Sequence, residues 1–158
     1  AFMKQYAASG IETPVYGPAF SFDEIILGAV GDAALGVKNT SQWAYDLEVE
    51  ANRAFVEAFR TEYGRTPTLY ASQGYDTARL ILSALAKASP DDKDAFRAAL
   101  KAADFASTRG DFRFNTNHHP VQTIYVREVV AGAGKPTNRL LGVAIEERAD
   151  DFAAQCSF

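Results

Sequence analysis

Two histidines, one cysteine and one lysine beside a glycine are the first residues of this 158-residue chain to invite a chemical reading. His118 and His119 are adjacent, and neighbours on an extended segment or turn point to opposite sides, so the pair is poorly placed to ligate one metal ion. Lys135 follows Gly134 as at the end of a phosphate loop. Such a loop needs a glycine five positions before the second glycine and Ser or Thr after the lysine, and those places hold Val129 and Pro136. There is no G-x-S-x-G elbow, and Cys156 has no base near it in sequence to activate it as a nucleophile. Asn39-Thr40-Ser41 fits the three-residue glycosylation pattern, which is frequent by chance and reads better as an exposed polar loop. The residues therefore predict no catalytic group, no metal and no cofactor.

A different set is more informative. Aromatic residues stand beside small and polar ones at the ends of predicted elements: Tyr16, Phe20 and Phe22 after a first strand, Trp43 and Tyr45 after a second, and Tyr70, Ser72, Gln73 and Tyr75 at a helix start. Loops at the carboxyl ends of strands are where open α/β sheets bind ligands. Any one of these aromatics is as well explained by an ordinary core, and only their clustering suggests a binding site.

Composition narrows the class further. The formal net charge is −4 and the pI is near 5.2, which excludes a basic nucleic-acid binder. Hydrophobic residues make up 47% of the chain, including 11 Phe and 7 Tyr, too many for a disordered segment. No apolar run approaches the length of about 18 residues needed to span a bilayer. The single cysteine cannot close a disulfide within the chain, so it pairs outside it or stays free. The opening Ala1-Phe2-Met3-Lys4-Gln5-Tyr6 reads as the middle of a helix, and the chain is expected to be a piece of a longer one.

Periodicity supplies the elements that would position the aromatic set. Phe2, Met3 and Tyr6 mark a short helix ended by Gly10, and Pro14-Val15-Tyr16 a strand ended by Gly17-Pro18. Ser21 and Glu24 have the spacing of a capping box, which starts a helix near Phe22. Residues 37–43 read as an extended segment leading into a loop. Ala51, Phe55, Ala58, Phe59 and Tyr63 recur at helical spacing from about Glu48 until Gly64. A second long helix runs from about Tyr75 to Ala88, and a third is predicted with Ser89 as cap and Pro90 at its first position. After Gly110 the period falls to two, with Phe112 and Phe114, then Ile124 and Val126, then Leu141, Val143 and Ile145, joined through Gly132-Ala133-Gly134. The order is α/β but oddly split, as if the chain left one lobe and came back.

Taken together, Gly17-Pro18, the Gly31-Asp32-Ala33-Ala34-Leu35-Gly36 turn, Ala51-Asn52-Arg53-Ala54-Phe55-Val56, Tyr63-Gly64-Arg65-Thr66-Pro67 and Ala71-Ser72-Gln73-Gly74-Tyr75-Asp76 resemble the branched-chain-amino-acid-type periplasmic solute-binding proteins of ABC transporters. The stretch from Asp104-Phe105 to Phe114 resembles a further family region, with Ser107 where the family has its first glycine. The resemblance covers nearly the whole chain and implies the type I fold, two doubly wound lobes with three crossovers, here as an incomplete C-terminal portion. It implies that residues 1–45 and 115–158 belong to the C-terminal lobe, and that the helical segment 46–114 returns to an N-terminal lobe that is mostly absent. It implies no enzyme activity, but capture of a small solute between the lobes, delivery to ABC permease subunits, and a periplasmic location with a signal peptide upstream.

The resemblance also implies a ligand class. Amino-acid-binding members place an acid just after the Gly-Pro, and here that position is Ala19, followed by Phe20. A buried ammonium would be left unpaired at a cost of several kcal/mol, so an aromatic carboxylate is expected instead. The implied ligand-binding residues are Ala19, Phe20, Ser21, Trp43, Tyr70, Ser72 and Gln73. Tyr70 would stack on the ring, and Ser72 and Gln73 would donate to a carboxylate or hydroxyl. The Asn39-to-Trp43 stretch also resembles the aromatic-compound-binding subgroup. A ligand-sensing domain of a regulator and a branched-chain amino-acid or amide binder stay open as alternatives. So does an enzyme using Asp76 or Asp111, although the helix dipole suffices to explain an Asp76 placed in a first turn.

Overall fold

The chain was described by a computed structural model over residues 1–156. Helix α1 spans Phe2–Ala8, and strand β1, Tyr16–Pro18, lies parallel to β2, Lys38–Ser41, with Tyr16 opposite Lys38. Between them come a single turn at Ala19–Ser21 and helix α2, Glu24–Val30. Three helices follow: α3 at Glu50–Tyr63, α4 at Leu69–Leu85 and α5 at Lys93–Ala102. Short β3, Arg113–Phe114, then leads into β4, Pro120–Val130, and β5, Thr137–Arg148. The sheet runs in the order β1-β2-β4-β3, with β5 also paired to β4. β4 is antiparallel to β2, Lys38 facing Glu128, so the late strands complete the sheet that β1 and β2 begin.

Two apolar clusters hold these parts. Met3, Phe22, Leu27, Ala34, Val37 and Val129 pack under the sheet near α1 and α2. Ala19, Trp43, Ala44, Leu47, Phe55, Val56 and Leu69 join the turn after β1 to the starts of α3 and α4. Other apolar surface is uncovered: Ile81, Leu82 and Leu85 along α4, and Leu141, Val143 and Ile145 on one face of β5. No helix among the described residues is long and apolar enough to cross a membrane.

Several predicted boundaries move, each for a physical reason. The Ser21–Glu24 capping box does not form. Asp23 is the cap, its carboxylate accepting from the Ile25 amide at 3.3 Å, while Glu24 turns inward to the Thr137 hydroxyl, the Asn138 amide and the Asn138 side chain. The long helix begins at Leu69 rather than Tyr75, because Thr68 accepts from the Ala71 amide at 3.1 Å and starts it earlier. Asp76 is therefore well inside α4 and not at its dipolar end. The third helix is capped by Asp92, which accepts from Ala95, whereas Ser89 only closes a turn onto Asp91. β1 is Tyr16–Pro18, displaced towards the Gly-Pro from the predicted Pro14–Tyr16.

Candidate functional site

The turn after β1 is shaped by a close approach. A Cβ at Gly17 would lie 2.5 Å from a ring carbon of Phe22, so only glycine lets that ring fold back beneath the strand. The chain then makes one tight turn that buries Ala19 and leaves Phe20, 61% exposed, and Ser21 facing outward. Asp23 ends the turn with a buried carboxylate. One oxygen caps α2 and the other accepts the Leu69 amide at 3.0 Å, the first N–H of α4. That bond and the Ala19–Leu69 packing set the start of α4 beside the turn. Tyr70, 58% exposed, and Gln73 face outward from it, whereas Ser72 is buried and donates its hydroxyl to the Leu69 carbonyl at 2.9 Å.

Trp43 is the deepest of the predicted ligand residues, 1% exposed. Its indole N–H donates to the Asn52 side-chain oxygen at 2.7 Å, and its ring meets Phe55 edge-on. The Asn52 amide donates in turn to the carbonyls of Ala44, Tyr45 and Leu47, at 3.2, 3.1 and 3.1 Å. One asparagine on the first turn of α3 thus ties down the whole link from β2. Ala19 and Trp43 are brought together in one apolar cluster. Phe20, Ser21, Tyr70 and Gln73 form the exposed margin above it, and Ser72 is occupied by its own helix.

Two polar networks away from these margin residues escaped the sequence. Arg127, 2% exposed, donates to the Asn39 side-chain oxygen at 2.9 and 2.6 Å and to the Trp43 carbonyl at 3.3 Å. Burial draws its guanidinium pKa down, and the charges of Glu24, Asp23 and Asp46 oppose that shift. Asn39 continues the chain to Asn138 at 2.8 Å, and Asn138 to Glu24 at 3.0 Å. Asn39 therefore sits inside the protein, bonded on both sides, and the expected exposed polar loop is a buried strand position. The second network surrounds Asp76, 3% exposed, which accepts from the Ser107 hydroxyl at 2.6 Å, the Thr108 amide at 2.9 Å and the Arg109 guanidinium at 3.3 Å. Arg109 also lies over the Phe112 ring. Both carboxylate oxygens are thus engaged by structural donors, and Asp111 is exposed.

An open groove of about 660 Å³ lies between α3, α4 and the segment before β3, lined by Glu50, Tyr75, Arg79, Asp104 and Asp111 among others. None of the seven predicted ligand residues lines it. His119 points its Nδ1 to the Asp150 carboxylate at 3.3 Å, and the described residues hold no group of three His, Cys, Asp or Glu able to bind a metal.

A split α/β sheet, a three-helix excursion and a Gly-Pro turn packed against a helix start define a portion of the type I periplasmic binding fold. Residues 1–135 match the family described as "Periplasmic binding protein", and the chain belongs to that family of ABC-type solute-binding proteins. A solute-binding protein of an ABC transporter from R. palustris, solved in complex with benzoate, is 36% identical with a TM-score of 0.83, covering 95% of this chain and 41% of that one. A second, from Rhodopseudomonas palustris BisB5 in complex with 3,4-dihydroxybenzoic acid, is 30% identical with a TM-score of 0.73, covering 95% of this chain and 42% of that one. Leu/Ile/Val-binding protein homolog 6 from Brucella abortus (strain 2308) is 32% identical over 135 residues, 81% of this chain and 35% of that protein. The chain spans about a third of the length of the curated relatives it matches. The family and these neighbours are solute-binding proteins rather than enzymes.

Proposed function

We propose that this chain supplies part of a periplasmic solute-binding protein that captures a small aromatic carboxylate in an interlobe cleft and delivers it to the permease of an ABC importer. Residues 1–45 and 115–158 would belong to one lobe and residues 46–114 to the other, whose remaining part would cover the apolar side of α4. The observation that carries the reading is the margin above Ala19: two exposed aromatic residues, Phe20 and Tyr70, flank the buried Ala19–Leu69 contact, and the acids nearest to Phe20 in sequence do not reach out to it. Asp23 and Glu24 follow within a few residues, but both are buried and committed to amide and hydroxyl donors inside the protein. An ammonium group bound at this margin would lack a counter-charge and lose several kcal/mol, whereas an aromatic ring gains about 0.5–1.5 kcal/mol per ring contact beyond its burial. Gln73 has a side-chain amide free to face a carboxylate or ring hydroxyl. The neighbours solved with benzoate and 3,4-dihydroxybenzoic acid support the same class of ligand.

The runner-up ligand is a branched-chain amino acid, favoured by the Leu/Ile/Val-binding homologues. Thermal-shift measurements on the intact protein with benzoate, 4-hydroxybenzoate and leucine separate the two. Stabilisation by the aromatic acids alone supports the proposal, and stabilisation by leucine alone overturns it.

A further inference from the structure

Asp23 does more than cap a short helix. Its two carboxylate oxygens serve two elements that are 46 residues apart in sequence: one accepts the Ile25 amide at 3.3 Å, the other the Leu69 amide at 3.0 Å. Several bonds join residues 1–45 to the helical segment 46–114; those from Asn52 to Trp43, Ala44 and Tyr45 lie in the link between β2 and α3, whereas this one joins the turn after β1 to the start of α4. The carboxylate is 3% exposed, and it lies between residues that matter on both sides. Three positions before it stands Phe20, and one position after its donor amide stands Tyr70. The next residue, Glu24, is anchored to the Thr137 hydroxyl and to Asn138 on β5, so the Asp23 end of the bond is fixed to the sheet. The other end is the first amide of a 17-residue helix, a group with no partner inside its own helix and with the positive end of the helix dipole behind it.

We propose that Asp23 is a closure latch, a positioning residue whose second oxygen engages the Leu69 amide when the two lobes close and so sets the spacing of Phe20 and Tyr70 around the ligand. This rests on the two-lobe reading given under Proposed function. In that reading the bond crosses the cleft, and opening would part Ala19 from Leu69 and return the Leu69 amide and one carboxylate oxygen to water. The latch then acts on the lifetime of the closed complex and leaves ligand entry alone. Its chemistry is that of a reversible catch. A hydrogen bond to a charged acceptor is stronger than a neutral one, yet both groups hydrate well when parted, so opening is not forbidden.

The experiment uses the full-length protein with benzoate, 4-hydroxybenzoate and leucine as probes, and reads association and dissociation separately by stopped flow. Asp23→Ser keeps an oxygen able to cap α2 but is too short to serve both amides. The expected result is dissociation faster by about tenfold with association unchanged. Leu69→Pro tests the other partner. Proline is accommodated at a first helical position and removes only the N–H, and Leu69→Ala serves as the control for the lost side chain. Leu69→Pro should speed dissociation relative to Leu69→Ala, and Asp23→Ser in the Leu69→Pro background should add nothing further. If the wild type binds a probe and Asp23→Ser lowers thermal stability without changing dissociation, Asp23 is a helix cap only and the latch is overturned while the binding function stands. If the wild type binds none of the three probes, the binding reading itself fails and takes the latch with it.

Discussion

Replacing Asn52 by Ala should damage this protein more than any exposed site residue, because one buried amide holds the link between β2 and α3. Asn52 is 0% exposed; it accepts the Trp43 indole N–H and donates to the carbonyls of Ala44, Tyr45 and Leu47. Alanine strips the indole of its acceptor and takes a donor from the Tyr45 and Leu47 carbonyls in a space closed to water, while the Ala44 carbonyl keeps the Leu47 amide at 3.2 Å. Each buried group left unpaired costs about 1–3 kcal/mol, and because two amide hydrogens are shared among three carbonyls, the sum is about 3–5 kcal/mol after relaxation. Trp43→Phe removes the indole donor from the other side, so the two variants should be coupled by about 1–2 kcal/mol instead of adding. Urea denaturation of the full-length protein, followed by circular dichroism, measures both. A loss below about 1 kcal/mol for Asn52→Ala, or strict additivity with Trp43→Phe, would show that the link is held by something else.

The exposed margin should behave in the opposite way. Phe20→Ala and Tyr70→Ala are expected to weaken benzoate binding by about tenfold each with little change in melting temperature, read by titration and thermal shift. Asp76→Ala should cost about 3–5 kcal/mol in denaturation experiments, because Arg109, with a side chain only 13% exposed, loses its carboxylate. Burial raises the pKa of Tyr125 above 10.0, and burial with the charges of Asp46 and Glu24 raises that of Tyr45. The folded protein then keeps these protons longer than the unfolded chain. Their contribution to stability is complete below the unfolded value near 10 and is lost as the pH rises through the folded values. Melting temperatures of wild type and Tyr125→Phe, compared from roughly pH 9 to 11, should show a shallower alkaline decline for the variant. Parallel curves would contradict that assignment.

Elements whose signals are local were legible in the sequence. The 3.6-residue repeat of Phe55, Phe59 and Tyr63 and the left-handed Gly64 that ends it mark α3 almost residue for residue, and the return to a period of two marks β4 and β5 around a glycine-rich connection. Ser21 and Glu24 have the right spacing for a cap, but Glu24 finds stronger donors in Thr137 and Asn138, more than 110 residues away, and no local pattern encodes that. Asp76 reads as a helix start only while Thr68 goes unnoticed as a cap, and its true role depends on donors 31 to 33 residues further on. The aromatic cluster is visible as composition. Its division into a buried member, Trp43, and exposed ones, Phe20 and Tyr70, is set by how three distant segments pack on Ala19. Asp23, Asn52 and Arg127 carry ordinary residue types, and only the fold shows what each one holds.

Calorimetric titration of the intact protein with benzoate and with leucine tests the central claim most directly. The account predicts micromolar or tighter binding of benzoate and at least a hundredfold weaker binding of leucine, the difference of about 2.7 kcal/mol or more expected when a buried ammonium has no partner. Tight leucine binding with no response to benzoate would contradict it.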